Sequence, residues 1–148
     1  MRPDPPKVLM GVASALLAQL APEVKTPFGQ QMASLAGMLV FIFAQEADHI
    51  VDRLHRENQA VATLLGDAAP LLADEVLRAR AREAAAHGDP ADLRVSTLQA
   101  LNDRLRTVLV DVHAAIEETP GPDAAAMDAR IWSELVESTN RRHVEALR

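Results

Sequence analysis

The stretch from Met32 to Ala44, MASLAGMLVFIFA, is apolar around its whole circumference, and Ser34 is its only polar side chain. A helix of that kind has no face to give to water, so other helices or a second copy of the chain must enclose it. The run sits inside a longer helical pattern over residues 26–66. Thr26 suits the N-cap, Pro27 the first helical position and Gly66 the C′ position. At 1.5 Å per residue, the roughly 39 residues between these caps span about 58 Å, nearly twice the width of a small domain. From Gln45 onward the pattern turns amphipathic. Ile50, Leu54, Val61, Leu64 and Leu65 recur at helical steps, with Asp52, Arg56, Gln59 and Thr63 between them.

The remaining segments read as helices packed around this one. Residues 1–6, with three prolines, read as an extended tail. A first helix follows over 6–21 and is stopped by Pro22; Val8, Leu9, Val12, Leu16, Leu17 and Leu20 form its apolar stripe. Gly29, Ala33 and Gly37 stand four residues apart on the long helix, where small side chains let another backbone come close. A third helix is expected over 71–87. It is terminated by Gly88 and has a thin apolar side, made of Leu72 and Val76 with Leu71 and Leu77. A fourth starts at Asp89, Asp92 or Ser96 and runs to Glu118, burying Leu98, Leu101, Leu105, Val108, Leu109, Val112 and Ile116. Pro120 to Pro122 force a turn into a fifth helix over 123–147, with Met127, Ile131, Leu135 and Leu147 on one line and Trp132, Val136 and Val144 beside it.

These segments predict an all-α fold: an up-down helical bundle of four principal helices plus one short helix, with one very long central helix, in a single domain over 1–148. The apolar front of the long helix exceeds what these neighbours can cover. The sequence therefore predicts a homodimer paired through residues 28–44 by an isologous contact.

Composition narrows the function classes. With 148 residues and 49% apolar content the chain can bury one core. The formal charge of −6 argues against binding nucleic acid, which calls for a basic face. No cysteine is present, so there is neither a disulfide framework nor thiol chemistry. The apolar run from Met32 covers 13 residues, short of the roughly 20 that a membrane span needs. The start of the chain superficially resembles a secretory signal, but its helical stripe favours a retained core helix. The expectation is a cytoplasmic protein that binds neither membrane nor nucleic acid.

Chemistry is sparse in the pattern. Glu46 and His49 have Glu-x-x-His spacing and, with Arg53 one turn further on, make a polar trio against the apolar run. The trio is the candidate ligand site, with Glu46 and His49 as candidate metal ligands and Arg53 as an anion contact. His113 and Glu117, four apart on one helix face, are the second candidates for a metal. Glu134, Glu137 and His143 lie on the last helix. In helix count and in its one Glu-x-x-His step the chain resembles the ferritin-like and hemerythrin-like bundles, a resemblance that implies a transition-metal site. A second Glu-x-x-His is missing, however, and there is no His-x-x-x-His pair. The turn at Pro120 to Pro122 sets His113 about 11 to 14 Å from the bend and His143 about 32 Å from it, so those two cannot share an ion. No nucleophile elbow or glycine-rich phosphate loop occurs. The sequence thus favours a non-enzymatic helical-bundle accessory or interaction protein with a possible protein partner and no cofactor, the alternative being a metal- or small-ligand-binding bundle centred on Glu46 and His49.

Overall fold

The structure, a computed structural model, describes residues 4–142, which form an all-α protein with no strand among them. The described chain divides into two compact units, one ending at Ile50 and the other beginning at Val51. Helix α3 (Pro27–Ala68), 42 residues long, contributes its first part to one unit and its last part to the other.

In the first unit, α1 (Pro5–Ala15) is capped by Asp4, whose side chain accepts from the Lys7 backbone N–H, so the helix takes in part of the segment expected to be an extended tail. The helical path continues through a π-helical turn (Leu16–Leu20) into α2 (Ala21–Glu23). Pro22 therefore lies inside the last turn instead of ending the helix before it. Proline lacks the N–H of the regular ladder, and the wide turn immediately before it accommodates that gap, with the Ala21 N–H bonding to the Leu16 carbonyl. Extended backbone at Val24 then breaks the helix.

Side-chain size is inverted in this unit. Its buried residues are small: Ala13, Ala21, Gly37 and Ala44. The large residues of the expected buried stripe, Val8, Val12, Leu17 and Leu20, are exposed, and so are Phe28, Met32, Leu35, Met38, Leu39 and Phe43 on α3. Gly37 explains how the helices meet, since a Cβ there would stand 2.6 Å from Leu17 Cγ and 3.1 Å from Leu16 Cβ. We expect Gly37→Val to lower stability by about 1–3 kcal/mol through overpacking. Thermal melts followed by circular dichroism test this, and an unchanged or raised midpoint would show that the two helices do not pack at Gly37.

The same stretch is longer than its strongly apolar core suggests. No charged residue occurs between Lys25 and Glu46. The helix holds an 18-residue window of mean hydropathy 1.3, of which 11% is buried, so by length and composition it is sufficient to cross a membrane.

In the second unit the last part of α3 packs with α4 (Glu75–Ala85), α5 (Val95–Glu117) and α6 (Pro122–Asn140). Their common core joins Val61, Leu65, Leu72, Leu105, Val112 and Ile131. Gly66 does not stop α3. It keeps ordinary helical backbone, and the helix ends where Pro70 lies in a short 3₁₀ turn (Ala69–Leu71). The next helix begins later than expected, at Glu75, because Asp74 accepts from the N–H groups of Val76 and Leu77. Its thin apolar side is Leu77 and Ala81, while Val76 is 69% exposed.

Of the expected starts, α5 takes the late one, beginning at Val95 between Asp92 and Ser96. Pro90 belongs to the connecting segment, and Asp92 gathers the Arg94 N–H, the Arg94 guanidinium and the Thr97 hydroxyl ahead of the helix. Bonds from the Arg94 side chain, and then from its backbone, hold the Asp92 carboxyl far below the usual range. Leu98, Leu101, Leu105, Leu109, Val112 and Ile116 are buried as expected. The turn into α6 passes through Gly121 at φ +122°, a conformation that side chains with a Cβ rarely adopt. On α6 Met127 and Ile131 are buried, whereas Trp132 and Val136 are exposed; Val144 and Leu147 lie outside the described residues.

Candidate functional site

The trio read from the sequence falls in two different units. Glu46 is half-buried and His49 exposed near the end of the first unit, whereas Arg53 belongs to the second. Arg53 there comes within 3.7 Å of the carboxylate of Glu57, a residue that the sequence reading passed over.

Glu57 is the centre of a buried polar node on α3, α5 and α6. Its side chain is wholly enclosed, as are those of Asn58 and Asn102. Arg142 donates to both carboxylate oxygens, at 3.2 and 2.8 Å, and Arg106 reaches Oε2 at 3.2 Å. Asn58 donates to the Leu98 carbonyl at 3.0 Å and accepts from Asn102 at 2.9 Å. Arg106 also donates to Asn102 Oδ1 and to the hydroxyl of the buried Ser138. The node thereby locks the helices in one register, because a slipped helix would leave buried polar atoms without partners.

Burial alone would push the Glu57 carboxyl up, but the hydrogen bond and charge of Arg142, together with Arg106, outweigh it and hold the group below its usual range. A carboxyl with a depressed folded value contributes stability that is present above the unfolded value and is lost as pH falls from there through the folded value. We therefore expect stability to decline as the pH drops below about 4.5, the ordinary value for such a group, and Glu57→Gln to flatten that decline. Denaturant titrations at pH 7, 5 and 4 measure it, and an identical acid loss in the variant would remove Glu57 as the cause.

A second cluster joins α5 to α6. His113 Nε2 lies 2.7 Å from Asp128 Oδ1 and 3.7 Å from Glu117 Oε1, and ligand atoms of all three residues lie within 4.8 Å of one another. The His113 ring meets Trp132 edge to face, with centroids 5.4 Å apart. The structure thus joins the second candidate pair from the sequence, His113 and Glu117, to Asp128, which the sequence reading did not name. Glu134 is taken up by a two-pronged pair with Arg141, whose other nitrogen lies 3.7 Å from Glu137. His143 lies outside the described residues.

A shallow cleft between α4 and α5, lined by Arg80, His87, Leu101 and Arg104 among others, has a volume of about 250 Å³. That is below the usual range for small-molecule sites. Comparison with protein-family models, curated proteins and solved structures finds no match to this chain.

Proposed function

We propose that this chain is a non-enzymatic interaction protein that self-associates through residues 28–44, with the bundle of the second unit as its rigid body. The observation that carries this reading is the row of exposed apolar side chains at Phe28, Met32, Leu35, Leu39 and Phe43. Its steps of four, three, four and four residues draw one narrow seam along α3, the spacing with which one helix packs against another as knobs into holes. Phe28 is 75% and Phe43 62% exposed, which is unusual for phenylalanine in a chain that stays single in water.

Charge placement favours a second copy as the occupant. Lys25 lies just before the seam and Glu46 and Asp48 just after it, with no charge between. An antiparallel pairing about a two-fold axis between Leu35 and Ala36 sets Phe28 against Phe43 and Met32 against Leu39. It also brings Lys25 of each copy towards the acidic end of the other. A parallel pairing would stack like charges at both ends.

Light scattering on the protein eluting from a sizing column, across a range of concentrations, is the test. A dimer that dissociates only on dilution supports the reading. A monomer at all soluble concentrations, or protein that floats with phosphatidylcholine vesicles and is monomeric within them, overturns it and makes a bilayer the partner of this face.

A further inference from the structure

We propose that His113, Glu117 and Asp128 form a binding site for a late first-row divalent cation such as Zn²⁺, independent of the association face. His113 and Glu117 share one face of α5, one helical turn apart, and Asp128 meets them from α6. The Gly121 turn places this meeting at equal height, since His113 and Asp128 lie nearly the same number of residues from the bend. Imidazole and carboxylate oxygen are the donor types that suit zinc and its neighbours.

Charge argues for a cation. Two carboxylates converge on a single imidazole, and among the described residues no arginine or lysine side chain bonds to either carboxylate. A dication would balance the two charges. The enclosed Glu57 and the largely buried Glu134 are met by guanidinium groups, whereas among the described residues the half-buried Asp128 meets only the imidazole and Glu117 stands at the exposed rim.

Two of the three ligand edges lie near the length an ion needs, and the third is within 4.8 Å. Zinc bonds of about 2.0–2.2 Å to nitrogen and oxygen give a tetrahedral edge of roughly 3.4 Å. The 3.7 Å between His113 and Glu117 nearly matches that edge, and the 2.7 Å between His113 and Asp128 must open by about 0.7 Å, within reach of side-chain rotation. His113 is also held in place, because its ring rests against Trp132. With three protein ligands the fourth position is left to water or to an exogenous donor. Binding replaces the His113–Asp128 hydrogen bond, and a neutral imidazole that gives Nε2 to the ion carries its single proton on Nδ1.

Trp132 is the only tryptophan in the chain and serves as a built-in reporter. Titrating untagged protein with Co²⁺ should quench its fluorescence in a saturable manner with one equivalent, and calorimetry with Zn²⁺ should give the same stoichiometry. Asp128→Asn and His113→Gln should each lower the affinity more than tenfold while keeping the helical circular dichroism of the parent, and His49→Gln should leave it unchanged. Quenching that never saturates, calorimetric heats no larger than dilution, or undiminished binding by Asp128→Asn would each overturn the site. If both cluster variants prove unfolded, Glu117→Gln on the exposed rim decides: unaltered zinc affinity in that variant counts against the proposal.

Discussion

Glu57→Ala will lose about 2–4 kcal/mol of folding stability, less than the full penalty for breaking a buried ion pair because Arg106 and Arg142 are themselves 30% and 48% exposed. Wild-type domains of this size have about 5–15 kcal/mol in all, so the variant will sit near the edge of folding. Two effects add. Truncation leaves a void where a fully enclosed side chain was, and the guanidinium groups of Arg106 and Arg142 lose the carboxylate they share. Guanidinium-chloride unfolding followed through Trp132, which lies on α6 in the same unit, gives the number directly. A loss below about 1 kcal/mol would mean that the carboxylate is solvated in the folded protein, as a surface pair would be.

The same node separates specificity from stability. Replacing its enclosed parts together, with Glu57→Met, Asn58→Leu, Asn102→Leu and Arg106→Met, removes the buried carboxylate and amides and leaves Arg142, already 48% exposed, to water, so it should recover much of what Glu57→Ala loses. The buried amides then point to a register device: Asn58 and Asn102 bond to each other and Asn58 to the Leu98 carbonyl, contacts that exist at only one setting of α3 against α5.

What the sequence made legible follows from periodicity. The buried face of α5 was readable from Leu98 to Ile116 because its leucines, Val112 and Ile116 fall on one stripe with Val110 on the wet side, and the long α3 was readable from its start at Pro27 and its unbroken pattern. Glu57 and Asn58 were not, because polar residues on an amphipathic helix read as its wet side. The available signal was their position on the line from Leu54 through Val61 to Leu65, where only core side chains fit. Asp128 escaped because its partner lies across a turn, although its distance from Gly121, nearly equal to that of His113, marked the pair once the bend was placed. Stop signals misled where a stronger neighbour existed. Gly66 suits a C′ position, yet the chain remained helical until Pro70 removed a donor. In the first unit the whole stripe of the first helix was read as a core face, but only its Leu16 and Leu17 close on Gly37, while Val8, Val12 and Leu20 lie exposed.

That outer surface carries the second large effect. Leu39→Glu in the proposed seam should convert the dimer to a monomer without unfolding the chain, since Leu39 is exposed in the single copy and its replacement disturbs no buried contact there. Burying a fully exposed leucine contributes about 1.5–3 kcal/mol; Leu39 is 46% exposed in the single copy, so each copy loses about half of that and the two-fold axis counts it twice, which weakens association by at least about 1.5–3 kcal/mol. At 1.4 kcal/mol per factor of ten, the dissociation constant rises at least about 10- to 10²-fold. Sedimentation equilibrium measures that shift, with circular dichroism as the check on folding. The antiparallel register has its own, smaller signature. Lys25→Glu places like charges at both ends of the seam and should weaken the dimer, and adding Glu46→Lys to the same chain should restore part of the loss, because each exchanged end again meets its opposite. Leu39→Glu that remains dimeric would move the interface off this face altogether. A restored Leu39→Glu dimer at acidic pH, where the new carboxyl is protonated, would confirm that the introduced charge, and not a change in shape, broke the contact.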